Sequence, residues 1–99
     1  MEREPLSTRL SRRLREARVS AGLTMREAAQ LAGIANHSLL VRYENGDSAP
    51  PPARLEALAD AYETTVAALL AEQDEVVALI AFLERADATT LQRILSALR

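Results

Sequence analysis

The stretch Leu23-Thr24-Met25-Arg26-Glu27-Ala28-Ala29-Gln30-Leu31-Ala32-Gly33-Ile34, continued by Ala35-Asn36-His37-Ser38-Leu39-Leu40-Val41-Arg42-Tyr43-Glu44-Asn45-Gly46, decides the fold. Thr24 and Glu27 stand at the spacing of a capping box, in which each side chain satisfies the other residue's backbone amide at a helix start. A helix is therefore predicted from Met25 to about Ala32. Gly33 breaks the apolar spacing, and Asn36 is a good N-cap for a further helix over residues 36–44 that turns Leu40 and Tyr43 inward. Asn45-Gly46 ends it. The pattern is helix, tight turn, helix.

On the N-terminal side, Ser7 or Thr8 is expected to cap a first helix with Leu10, Leu14 and Ala17 on one face and Arg12, Arg13, Arg15 and Arg18 on the other. Gly22 suits the left-handed residue after its end. On the C-terminal side, Asp47-Ser48-Ala49-Pro50-Pro51-Pro52 must be extended, because consecutive prolines lack amide donors and bias the preceding residue away from helix. Pro52 can open a fourth helix carrying Leu55, Leu58, Ala59 and Tyr62, and Thr64 or Thr65 a short fifth one that buries Val66, Leu69 and Leu70. Beyond these, Val76, Leu79, Ile80 and Leu83 recur at helical spacing. So do Leu91, Ile94, Leu95 and Leu98, after a Thr89-x-x-Gln92 box. The domain reading is a compact unit over 7–70 and a helical extension over 72–99.

Composition agrees with an all-α fold of close-packed helices: 48% of the chain is hydrophobic, but only one Phe and two Tyr contribute aromatic rings. There is no cysteine, so disulfides, thiolate metal sites and cysteine nucleophiles are excluded. Neither a Ser-His-Asp set, a Gly-rich phosphate loop nor a metal-ligand cluster can be read, and the expectation is a non-enzyme without cofactor. No apolar run approaches the ~20 residues of a membrane span, and the N-terminus lacks a signal peptide's apolar core. A soluble cytoplasmic protein is expected, with no membrane partner. Net charge is −2 overall, yet residues 1–46 hold eight Arg against five Glu and residues 47–99 four Arg against nine acids. The front half is basic, as a phosphate-binding surface requires.

The Gly-Leu-Thr entry at 22–24, the Ala-Gly-Ile turn at 32–34, the Glu-Asn-Gly exit at 44–46, the Leu-x-x-x-Leu-Arg pattern of the first helix and the Leu-x-x-Leu-Ala of the fourth resemble the Cro/C1-type (XRE) helix-turn-helix family of DNA-binding transcriptional regulators. The resemblance covers about 7–70. It implies a five-helix lambda-repressor-like domain that binds double-stranded DNA, with the 36–44 helix in the major groove. On matching positions it implies base contacts from Arg42, Ser38, His37 and Asn36. Arg42 is the leading one, because a guanidinium bridges guanine O6 and N7. Leu39 is placed on the same outward face. Thr24, Arg26, Arg13, Arg15 and Asn45 are implied as backbone contacts, and Arg18 with Glu44 as a structural ion pair that fixes the reading helix. Glu63 stands where relatives often carry a helix-ending glycine.

The chain also departs from the family pattern. It has one residue more than usual between Ile34 and Leu40, Met25 in place of a frequent backbone-contacting glutamine, and an acidic, proline-rich loop after the reading helix. A single module should therefore bind weakly, and pairing two modules on adjacent half-sites would compensate. The expected device is a homodimer through Val76, Leu79, Ile80, Leu83, Leu91, Ile94, Leu95 and Leu98; the alternative is that these helices fold back on their own core. The rival function is a protein-interaction adaptor or antitoxin-like module that keeps the fold without strong DNA binding.

Overall fold

The computed structural model describes residues 4–99, which form seven helices: α1 (Leu6–Ser20), α2 (Met25–Leu31), α3 (His37–Asn45), α4 (Pro52–Ala61), α5 (Val66–Leu70), α6 (Asp74–Arg85) and α7 (Ala88–Leu98). Among these residues no strand occurs. The core is built from α1 to α5 alone: Leu14, Leu40, Leu58 and Leu69 are its fully enclosed large side chains, with Leu10, Ile34, Tyr43, Leu55 and Tyr62 around them. Small residues let the helices approach. Ala28, Ala29 and Ala59 are buried where α2 and α4 meet their neighbours, as a leucine-and-alanine composition favours.

The capping box forms as the spacing predicts: the Glu27 amide donates to Thr24 Oγ1 at 3.1 Å and the Thr24 amide to Glu27 Oε1 at 3.0 Å. The Thr24 amide, and then its side chain, hold the Glu27 carboxyl below the usual carboxylate range. The turn between α2 and α3 depends on Gly33 at φ +72°, and α3 stops at Gly46 at φ +81°, both in the left-handed region that a Cβ disfavours. Pro52 is the first residue of α4, where its missing amide costs no hydrogen bond.

Two expected helix starts are corrected. The N-cap of α1 is Pro5, not Ser7 or Thr8; its carbonyl accepts from the Arg9 amide at 3.0 Å, and its fixed φ suits a residue just outside a helix. Ser7 and Thr8 lie in the first turn, their carbonyls accepting from the Ser11 hydroxyl. At α7 the cap is Asp87, whose carboxylate accepts from the Thr90 amide at 2.7 Å, and Thr89 and Gln92 sit inside the helix. Aspartate caps as well as a hydroxyl residue and adds a negative charge at the positive end of the helix dipole.

Glu63 is the one non-glycine at positive φ (+55°) among the described residues, in the turn between α4 and α5. A side chain there is strained by roughly 1 kcal/mol. Glu63→Gly is expected to raise stability by up to about that amount, less the extra chain entropy of glycine. Urea unfolding of the two proteins checks it, and a loss of stability on substitution contradicts the strain.

The extension does not fold back into the core. Neither α6 nor α7 contributes a buried residue. Packing of α6 is against α5, and α7 makes no comparably extensive contact with another helix. The radius of gyration, 15.0 Å, exceeds the ~13 Å of a compact 100-residue domain. Of the eight residues expected to dimerise, Val76, Leu79, Leu83, Leu95 and Leu98 are exposed and Ile80, Leu91 and Ile94 half-buried; Phe82 is exposed beside them.

Candidate nucleic-acid interface

The inner side of α3 is held by apolar packing and by one ion pair. Leu40 and Tyr43 are buried, and the Tyr43 hydroxyl accepts from Arg54 Nη1 at 3.1 Å. At the C-terminal end, Arg18 grips Glu44 in a bidentate pair, Nε to Oε2 at 2.7 Å and Nη2 to Oε1 at 3.1 Å. Its third arm, Nη1, donates to the Leu23 carbonyl at 2.8 Å. One guanidinium thus joins α1, the α1–α2 turn and α3. The Glu44 side chain is 2% exposed. The Glu44 hydrogen bonds push the Arg18 guanidinium above its ordinary range. Tyr62 is buried nearby; desolvation, then the Glu44 charge, push its phenol up, which keeps it neutral. The structural pair expected from the resemblance is in place.

The outer side of α3 is less uniform. Arg42 is exposed and makes no side-chain hydrogen bond or ion pair among the described residues. Asn36 is the N-cap: its Oδ1 accepts from the Ser38 amide at 2.9 Å and from the Ser38 hydroxyl at 2.7 Å. That leaves the Asn36 amide group free to donate and the Ser38 oxygen free to accept, a narrower chemistry than two unengaged side chains would offer. His37, the first residue of α3, is half-buried rather than fully outward. Leu39 is corrected: it is half-buried and packs on the core, because its position falls between the inner and outer stripes of so short a helix. Asn45 is exposed at the last turn of α3.

The expected backbone contacts separate into three kinds. Arg26, in the first turn of α2, and Arg15, on α1, are exposed and unpaired. Thr24 is exposed, but its hydroxyl and amide are both occupied by the capping box, and the Glu27 carboxylate beside it repels phosphate. Thr24 is a cap. Arg13 is corrected outright. Its side chain is 5% exposed and turned toward the far end of the domain, with Nε donating to the Ala71 carbonyl at 3.1 Å and Nη1 to Asp74 Oδ1 at 2.8 Å. Arg13 and Leu14 are neighbours facing two packed regions of α1, so a basic residue in sequence became an interior one. Arg12 is likewise held by Glu4 and Glu16, and Arg9 is buried with Nη1 on the Glu4 carbonyl.

Sequence reasoning missed Arg54. It lies in the first turn of α4, half-buried and hydrogen-bonded to Tyr43, and it supplies a cation immediately after the acidic loop. An arginine two residues beyond Pro52 in an otherwise acidic half was the available signal.

A helix bearing a free arginine, clamped by its opposite side onto a scaffold of four others, can present side chains to a groove as wide as the DNA major groove. No helix among the described residues is long and apolar enough to cross a membrane. Neither curated proteins nor solved structures yield a match to this chain. A helix-turn-helix domain model matches residues 9–73, from the second turn of α1 to the end of the α5–α6 connection, with α2 and α3 at its centre. On that match, which spans most of its length, the chain belongs to the helix-turn-helix domain family.

Proposed function

We propose that this protein is a sequence-specific DNA-binding transcriptional regulator of the Cro/C1 type, that α3 enters the major groove, and that two copies act together through α6 and α7. The observation that carries the reading is Arg42: unpaired and exposed on a helix whose opposite side is fixed by Leu40, Tyr43 and the Arg18–Glu44 pair. An arginine so placed suits bidentate guanine recognition. Asn36, Ser38 and His37 are the accompanying base contacts at the start of α3. Arg26, Arg15 and Asn45 serve the backbone, joined by Arg54.

Among the described residues of the helix-turn-helix domain, Arg9, Arg12, Arg13 and Arg18 are engaged within the protein, which leaves Arg15, Arg26 and Arg54 for phosphates beside Arg42. With about two or three phosphate contacts per module, log affinity should fall against log salt with a slope of roughly −2 to −3 for one module and about −4 to −5 for the dimer. Selection from a random DNA pool, followed by titration of the selected site, tests the function. Arg42→Ala should cost about 1–3 kcal/mol and flatten preference at one base pair while the salt slope stays the same. An equal loss on every sequence would make Arg42 a phosphate contact.

The adaptor reading is favoured by the same engagement of arginines and by the acidic 47–99 segment. It prevails if the intact protein shows no salt-sensitive affinity for any DNA. The exposed apolar residues of α6 and α7 are its natural docking surface in that case, and light scattering would then report a monomer.

A further inference from the structure

The joint between the helix-turn-helix domain and the extension includes a charged fork beside an open cavity. Between α1, the α4–α5 turn and α6 lies an open cavity of about 340 Å³, with Ala17, Tyr62 and Leu69 on the domain side and Val77 and Arg85 on the α6 side. No α6 residue is fully buried, and only Val77 and Ile80 are half-buried, so apolar packing holds its direction loosely there. What ties its first turn to α1 is Arg13. The Nε donates to the carbonyl of Ala71, the residue that ends α5, and Nη1 pairs with Asp74, the first residue of α6. One planar fork therefore spans the two sides of the α5–α6 bend, and Arg12 Nη1 stands 3.9 Å from the same Asp74 carboxylate.

We infer that Arg13 is a positioning residue that sets the angle of α6 on the domain, and through it the separation of the two reading helices in a dimer. The inference rests on the homodimeric DNA-binding reading above. Half-sites lie one helical turn apart or a multiple of it, about 34 Å, so a dimer whose arms are held at a fixed angle accepts one spacing and rejects others. Arms that swing accept several. The role differs from stability: Ala71 is half-buried and Asp74 exposed, so both rehydrate once Arg13 is gone and no enclosed partner charge is left behind.

The test compares the full chain with Arg13→Met and with Asp74→Ala, which removes the acceptor on the α6 side of the fork and leaves the Ala71 side intact. The chain has no cysteine, so Gln30→Cys and Ala78→Cys, both at exposed positions on α2 and α6, accept spin labels cleanly, and dilution with unlabelled chain isolates the distance within one copy. A narrow distance distribution is expected for the parent and a broad one for both variants, with melting temperature and dimer mass unchanged. On the pool-selected operator, moving the half-sites apart by half a turn should weaken the parent by at least about ten-fold, since only one module can then engage, and Arg13→Met by no more than about three-fold. Equally narrow distributions, or a spacing preference retained in Arg13→Met, overturn the role of Arg13. If the parent forms no dimer or binds no DNA, the functional reading fails instead, and the label distances still decide whether Arg13 holds the bend.

Discussion

Arg18→Ala is expected to lower stability by about 3–5 kcal/mol, because it strands a carboxylate that is almost wholly enclosed. Glu44 loses both of its guanidinium hydrogen bonds, and the Leu23 carbonyl loses a donor as well. For a chain of this size each kcal/mol is worth roughly 4–8 °C in melting temperature, so a fall of more than about 12 °C should be seen in a thermal scan. Glu44→Ala is expected to cost less, since the Arg18 side chain is 14% exposed and its Leu23 bond survives. The pair also seats α3, so binding should suffer in both variants even below the melting transition. Arg18→Met combined with Glu44→Leu removes the charge without leaving a partner behind, and should recover most of the lost stability. A single-variant loss below about 1 kcal/mol would place this pair among solvent-screened ones.

Ending the chain at Gln73 is expected to leave a folded module and to weaken binding to a two-half-site operator by about 10²- to 10⁴-fold, the range in which linked modules exceed single ones. The module should fold because every residue of the core cluster lies between Leu10 and Leu69. The C-terminal helices instead carry Leu79, Phe82, Leu95 and Leu98 about half or more exposed, more apolar surface than an isolated monomer ordinarily shows in one region. Sedimentation of the intact and shortened chains should show a dimer and a monomer. A shortened chain that binds the same operator as tightly as the intact one would remove α6 and α7 from DNA recognition.

The helical framework was legible because its signals are local. Thr24 and Glu27 are three residues apart, Asn36 abuts the helix that it caps, and Gly33 and Gly46 take conformations decided by their own backbone. The inward set of α3 was legible for the same reason, since a 3.6-residue period places Leu40 and Tyr43 on one side whatever they pack against. Competition between neighbouring caps was harder to read: Asp87 and Thr89 both suit a helix start, and only the realised first turn, with the Thr90 amide donating to Asp87, shows where the helix begins.

The helix over 36–44 was thus located by sequence alone, together with its caps, its buried side and the all-α fold around it. Where each arginine goes was decided by tertiary structure. Arg13 and Arg15 are two apart on one helix and equal in charge, yet the first is enclosed against Ala71 and Asp74, some sixty residues away, and the second stands in solvent. A long flexible side chain is directed by whatever carbonyl or carboxylate the fold brings within reach, and that partner has no fixed sequence distance. The same holds for α6 and α7, whose apolar spacing announced a surface but whose exposure only the packed structure shows.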